Sequence, residues 1–229
     1  MITLTNYFAG LLIRLISVVT IKFNPKLSEQ FIIIKNVVSS SNSKYKRLPR
    51  QLVKSVIDIE DKRFFFHSGI DVYSIIRALI KNITTNRLEG ASTIVQQLVR
   101  NITDRRELKF KRKINEIILA TLVNNLFTKD EILHAYFDTY KFKNSIGIYN
   151  FCIIENYNLD NLSFIESAQV ASRFKYPHVT KTNYIKYLKR VRTIEIKNTL
   201  NPVLLLWWYP VKNIDLNLKK SFRCSDHLA

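Results

Sequence analysis

The sequence predicts an all-helical fold built from many short to medium helices. Three observations carry that expectation. Apolar residues recur at helical spacing, most fully at Val72, Ile75, Ile76, Leu79, Ile80 and Ile83. Thr128-Lys-Asp-Glu131 and Ser163-Phe-Ile-Glu166 both have the capping-box pattern that opens a helix. Only 4 Gly and 5 Pro are present, too few for a turn-rich β-sandwich.

At 229 residues and 26.9 kDa the chain can bury the core of one domain, with or without an appendage. Lys and Arg number 36 against 18 Asp and Glu, a formal charge of +18, so an anionic partner is expected: a nucleic acid, an acidic membrane surface or a phosphorylated substrate. The two cysteines, Cys152 and Cys224, have neither metal-ligand spacing nor a disulfide framework.

In chain order, Tyr7 to Phe23 is an apolar run interrupted by Arg14, read as an uncleaved anchor or a helix lying in a membrane interface within a segment 1–25. Residues 26–47 are expected to be a linker and lead-in, with Phe31 to Val38 β-branched enough for a strand and Ser39 to Lys46 a loop. After Pro49, Leu52, Val53, Val56 and Ile57 mark a helix that delivers Glu60 at its far end. Asp71 caps the next helix, whose apolar stripe is expected to be core. Ser92 or Thr93 can cap a helix carrying Gln96, Gln97, Arg100 and Asn101. A basic stretch from Thr103 to Lys113 leads into a helix with Ile114, Ile117, Ile118 and Leu122 on one side and Glu116 beside Lys113. Lys141 to Asn161 reads as irregular, and Thr182 onward as a basic amphipathic helix. Val203 to Tyr209, within a segment 201–229, is an apolar patch: a core plug or a membrane contact.

The stretch Glu60-Asp-Lys-Arg-Phe-Phe-Phe-His-Ser-Gly69 gathers an acidic pair, a basic pair, three aromatics and a histidine in ten residues. A carboxylate at a helix end, backed by aromatics and flanked by cations, has the makings of a general base. Paired amides one turn from a cation, at Gln96, Gln97 and Arg100, suit recognition of a sugar or a phosphate. No Rossmann, P-loop or helix-turn-helix signature is present, which weighs against a nucleic-acid-binding protein.

Three successive blocks resemble the family 51 glycosyltransferases, the peptidoglycan polymerases of bifunctional penicillin-binding proteins and of monofunctional transglycosylases. They are Glu60 to Gly69, then Gly90-Ala-Ser-Thr-Ile-Val-Gln-Gln-Leu-Val-Arg-Asn101, then Arg112-Lys-Ile-Asn-Glu116 with Thr128-Lys-Asp-Glu-Ile-Leu133. The resemblance implies a mainly α fold, with a lysozyme-like large lobe and a smaller membrane-associated jaw lobe, over residues 48–200. It implies polymerisation of lipid II on a nascent glycan strand with release of undecaprenyl diphosphate. Glu60 matches the general base and Glu116 the second acid. Asp61, Phe64, His67, Ser92, Thr93, Gln97, Arg100, Asn101, Arg112 and Lys113 match substrate-binding positions. A divalent metal, Mg or Mn, held by Glu116 is allowed by the resemblance and not demanded. Membrane lipids and other wall-synthesis proteins are the implied partners, nucleic acid is not, and the implied location is the external or periplasmic face of the cytoplasmic membrane, behind a single N-terminal anchor. The end of the sequence at Ala229 makes a monofunctional form the expectation. The chain departs from the family pattern at Val123-Asn-Asn125, at Tyr136-Phe-Asp138 and from Lys141 to Gly147. The alternative carried by those departures is a catalytically impaired protein that binds lipid II or acts as a scaffold.

Overall fold

The computed structural model describes residues 2–41, 48–85, 90–103 and 110–199, and they form ten α-helices with two short 3-10 turns and no strand. The helices are α1 (Ile2–Phe23), α2 (Pro25–Ser41), α3 (Arg50–Glu60), α4 (Val72–Thr85), α5 (Ile94–Thr103), α6 (Phe110–Leu126), α7 (Lys129–Thr139), α8 (Ile148–Ile154), α9 (Phe164–Arg173) and α10 (Tyr184–Thr199). The apolar patch 203–209, the end of the expected linker (42–47) and part of the basic stretch before α6 lie outside the described residues.

The core is organised around α5. Its apolar positions Ile94, Val95, Leu98 and Val99 are all buried, and it packs against α6, α7 and α2. The polar residues Gln97 and Arg100 are then carried on the remaining face, one turn apart. On its other side α3 packs on α9, and α9 on α10. An aromatic cluster of Tyr136, Phe137, Tyr140, Phe142, Phe151 and Phe174 closes the end of the core between α7, α8 and α9.

Both expected capping boxes are formed, at Thr128 with Glu131 and at Ser163 with Glu166. Three expectations are corrected. Phe31 to Val38 is not a strand but the middle of α2, with Ile34 and Val38 buried against the domain, and Ser39 to Ser41, expected to begin a loop, end the same helix. Helical packing on α5, α6 and α7 overrides the β-branched composition there. In α4 the apolar stripe is not core. Ile76, Leu79, Ile80 and Ile83 are 52 to 76% exposed, and Ala78 is the buried residue, because α4 meets its neighbour α1 along a different face. The segment Lys141 to Asn161 is more regular than expected, holding a single bridge from Lys141 to Ile146, then α8 and a 3-10 turn at Leu159–Asn161.

α1 packs on α6, α2 and α4 through a seam of small side chains. Gly10 and Ser17 are buried in that seam, while Leu11, Leu12, Leu15, Ile16, Val19 and Phe23 point outward. A Cβ on Gly10 would fall 1.9 Å from Ser68 Oγ, so the helix approaches the Glu60 to Gly69 loop as closely as a backbone can. Among the described residues no helix is long and apolar enough to cross a membrane.

Gly69 ends that loop with φ +97°, and a Cβ there would lie 2.6 Å from the Ala120 carbonyl oxygen on α6. The backbone conformation and the contact both demand glycine. Gly69→Ala is therefore expected to lower stability by about 2 kcal/mol or more, measured by urea unfolding.

Candidate active site

Glu60 is the last residue of α3, placed there by the buried stripe of Leu52, Val56 and Ile57 that fixes how the helix is rotated. Its Oε2 accepts from Gln97 Nε2 at 3.0 Å. Gln97 Oε1 in turn accepts from Tyr136 Oη at 2.9 Å. Burial, and next the charge of Glu60, hold the Tyr136 phenol well above its ordinary value, so the hydroxyl stays a donor and sets which end of the Gln97 amide faces Glu60. Glu60 Oε1 is buried without a hydrogen bond, and among the described residues its ion-pair contact is Arg190 Nη2 of α10 at 3.8 Å.

Asp61 is buried and serves as a junction. Its carboxylate takes His67 Nε2 at 2.9 and 3.1 Å and the backbone N–H of Ile94 at 2.9 Å. Ile94 opens α5, so the carboxylate sits on the positive end of that helix. Thr93 completes the cap: its N–H donates to Gln96 Oε1 and its Oγ1 accepts from the Gln96 N–H, both at 3.2 Å. The Thr93 hydroxyl also donates to the Gly69 carbonyl at 2.7 Å, closing the loop onto α5. Arg63 fastens the other side, with Nε 2.8 Å from Asp71 Oδ2 and Nη2 2.7 Å from Ser74 Oγ. Burial would raise the Asp71 carboxyl, but the bonds from Arg63 and Ser74 outweigh it and hold it below the ordinary range.

Glu116 is buried on α6 inside a cage of cations. Its Oε1 meets Arg100 Nε at 3.0 Å and Arg112 Nη1 at 2.6 Å, and its Oε2 meets Arg100 Nη2 at 3.1 Å and Lys113 Nζ at 3.2 Å. Lys113 also donates to Ser92 Oγ at 2.9 Å and Gln96 Oε1 at 3.2 Å. Burial alone would raise Glu116, but the Arg100 hydrogen bonds and the charges of Lys113 and Arg100 bring it below its ordinary value. Burial also lowers the Lys113 ammonium, against the pull of Glu116. Three cations around one carboxylate leave an excess of positive charge, the arrangement that receives an anion. The donor set does not fit a divalent cation: both Glu116 oxygens already face cations, and no group of three or more His, Cys, Asp or Glu among the described residues is placed to hold a metal. The Mg or Mn at Glu116 that the resemblance allows without demanding thus finds no matching donor set among the described residues.

The end of α3, the following loop, residues Gly90 to Thr93 and the inner face of α10 enclose a cavity of about 790 Å³. Of the sequence-predicted site residues, Glu60, Asp61, Ser92 and Thr93 line it. Gln97, Arg100, Arg112, Lys113 and Glu116 are joined to them by the hydrogen bonds above. Phe64 and His67 are buried behind the cavity, at 0 and 5% exposure, and brace the loop where substrate contacts were expected. Asn101 lies farther along α5 with its amide nitrogen buried and without a hydrogen-bond partner. Sequence reasoning missed Tyr136, Lys129 and Arg190. Tyr136 and Arg190 fall in helical patterns where they read as core or as a solvated basic face, and only the packing shows where their polar tips go.

A family profile described as Transglycosylase matches residues 28–198. Penicillin-binding protein 1A of Rickettsia bellii is 37% identical over 160 residues, covering 66% of this chain and 20% of the relative. Penicillin-binding protein 1A of Clostridium botulinum is 31% identical over 190 residues, 77% of this chain and 23% of the relative. A putative transglycosylase of Cupriavidus necator is 36% identical over 135 residues, 57% of this chain and 58% of the relative. The chain thus spans about a fifth of the length of the Rickettsia relatives it matches.

The depressed Glu116 makes stability pH-dependent. Its contribution is present above the ordinary carboxyl value of 4.5 and is lost as pH falls through the lower folded-state value. Glu116→Gln is expected to cost about 3 kcal/mol at neutral pH, because three cations lose their counter-ion, and to flatten the acid limb of a thermal-unfolding profile.

Proposed function

Because the chain belongs to the transglycosylase family, a group of peptidoglycan glycosyltransferases, we propose that it polymerises lipid II into β-1,4-linked glycan with Glu60 as the base. The observation that carries this reading is the state of the Glu60 carboxylate, on a residue that lines the cavity: one oxygen is held by Gln97, and the other is buried and free of hydrogen bonds. Glu60 takes the proton of the acceptor sugar's 4-hydroxyl as that oxygen attacks the donor's anomeric carbon. The new C–O bond forms on one face as the bond to the diphosphate breaks on the other, so configuration inverts. An alcohol is a poor nucleophile at neutral pH, and a positioned base contributes roughly 10²- to 10⁴-fold.

The departing diphosphate gains negative charge as its bond lengthens. Arg100, Arg112 and Lys113 are already gathered by Glu116 and linked through Ser92 to the cavity, so they stabilise that charge without reorganising. Glu116 in this scheme keeps the cations together and takes no proton from the substrate. α5 holds the two halves in register, since Gln97 on Glu60 and Arg100 on Glu116 are one turn apart.

A lipid-linked substrate implies work at a membrane surface, in the place expected from the sequence: the external face of the cytoplasmic membrane. The outward leucines, isoleucines and valines of α1 and the exposed stripe of α4 supply an apolar flank. Lys22, Lys26, Lys35, Arg77 and Lys81 on α1, α2 and α4 complement anionic headgroups. The chain would lie against the bilayer along this flank, with α1 docked on the domain.

The test is polymerisation of labelled lipid II in detergent by the wild type beside Glu60→Gln. Glycan ladders from the wild type and a loss of about 10²-fold or more in the variant, with unchanged unfolding, are expected. A folded wild type that binds lipid II and makes no polymer would favour the scaffold reading instead. In flotation with vesicles, Leu12→Asp/Ile16→Asp is expected to weaken binding to membranes containing anionic lipid while leaving the fold intact.

A further inference from the structure

Lys129, the first residue of α7, takes no part in the chemistry above. Its Nζ reaches back to the Glu60 to Gly69 loop, donating to the His67 carbonyl at 2.9 Å, and also donates to Asn124 Oδ1 on α6 at 2.6 Å. It stands 4.6 Å from the centroid of the Phe64 ring. Burial pushes this ammonium down to about 8, with the Asp61 carboxylate the one charge that opposes the shift. The groups facing it are few: α6 offers the neutral Asn124, and the loop offers Asp61, the His67 carbonyl and the Phe64 ring. On α7 itself, Asp130 and Glu131 share its turn, and Glu131 is engaged with Thr128.

A lysine in this state works against folding at neutral pH. Its folded value lies below the ordinary 10.5, so the folded protein bears the cost of a desolvated charge below about pH 8 and is relieved of it as pH rises from there towards 10.5. A methionine of similar length would fill the space without a charge. Stability therefore does not explain the lysine, and what it holds does.

The same face of α7, seven residues on, carries Tyr136, whose hydroxyl fixes Gln97 and through it Glu60 Oε2. One helix thus has a polar handle on each side of the candidate base. Tyr136 holds its carboxylate, and Lys129 holds the loop that begins at the next residue.

We propose that Lys129 is a positioning residue for Glu60. By tying the His67 carbonyl to α7 it keeps His67 on Asp61 and Asp61 on the first N–H of α5, and so fixes where α3 ends and where the base points. This rests on the reading of Glu60 as the base. Deprotonation of the amine weakens its charge-assisted bonds and removes its attraction to the Phe64 ring, so the hold slackens at alkaline pH.

The experiment uses the full chain and its Lys129→Met and Lys129→Arg variants, with urea unfolding, lipid II polymerisation across pH, and the backbone amide resonance of Ser68, which reports on the His67 carbonyl. Lys129→Met is expected to be at least as stable as the wild type at pH 7 and to lose about 10- to 100-fold in kcat with KM little changed. The wild type should lose activity as pH rises through about 8, and Lys129→Arg, which keeps its charge, should retain activity beyond that point. The Ser68 amide should shift with the same midpoint in the wild type and not in Lys129→Met. A Lys129→Met enzyme with wild-type kcat, or an alkaline limb identical in Lys129→Arg, overturns the proposal. If the wild type makes no polymer the polymerase reading fails by itself, and the Ser68 resonance decides the Lys129 tie: a midpoint near 8 that vanishes in Lys129→Met upholds it, and its absence in the wild type overturns it.

Discussion

The buried carboxylate of Asp61 is the contact on which the site depends. A charge out of water survives only when its lone pairs are taken, and here they are taken by His67 and by the first N–H of α5. That arrangement joins the end of α3, the Glu60 to Gly69 loop and the start of α5 at one point. Everything that α5 then presents, Gln97 to Glu60 and Arg100 to Glu116, inherits its position from that junction. The two acids are 56 positions apart in sequence and are linked in space by four residues' worth of one helix.

The two acids differ in their surroundings. Among the described residues Glu60 has one oxygen free of hydrogen bonds and a single distant cation, whereas Glu116 has both oxygens enclosed by Arg100, Arg112 and Lys113. A base needs a lone pair not already taken by a donor, as at the buried Glu60 Oε1, and a charge clamp needs saturated contacts. The same side-chain type thus fits two roles because burial and partners differ.

The surface has a comparable division. α1 and α4 turn most of their larger apolar residues outward and bury small or polar ones such as Gly10, Ser17 and Ala78, the reverse of a helix in water. α5, with an apolar stripe of similar strength in sequence, turns it inward. Periodicity alone treats α4 and α5 alike. Only what stands opposite each stripe separates them.

The sequence by itself determined the helical class, the two capping boxes, the helix that ends in Glu60 and the blocks that hold the candidate site. Those features depend on spacing and on cap chemistry within a few residues, which are local and therefore legible. The tertiary structure decided which apolar face is core, that Phe31 to Val38 is helical, that Phe64 and His67 brace the loop from behind, and that Glu116 is enclosed by cations. It also brought Lys129 and Tyr136 under the site from 62 and 39 positions away from their partners His67 and Gln97. Contacts of that range depend on how helices pack against one another, which no local pattern of residues encodes.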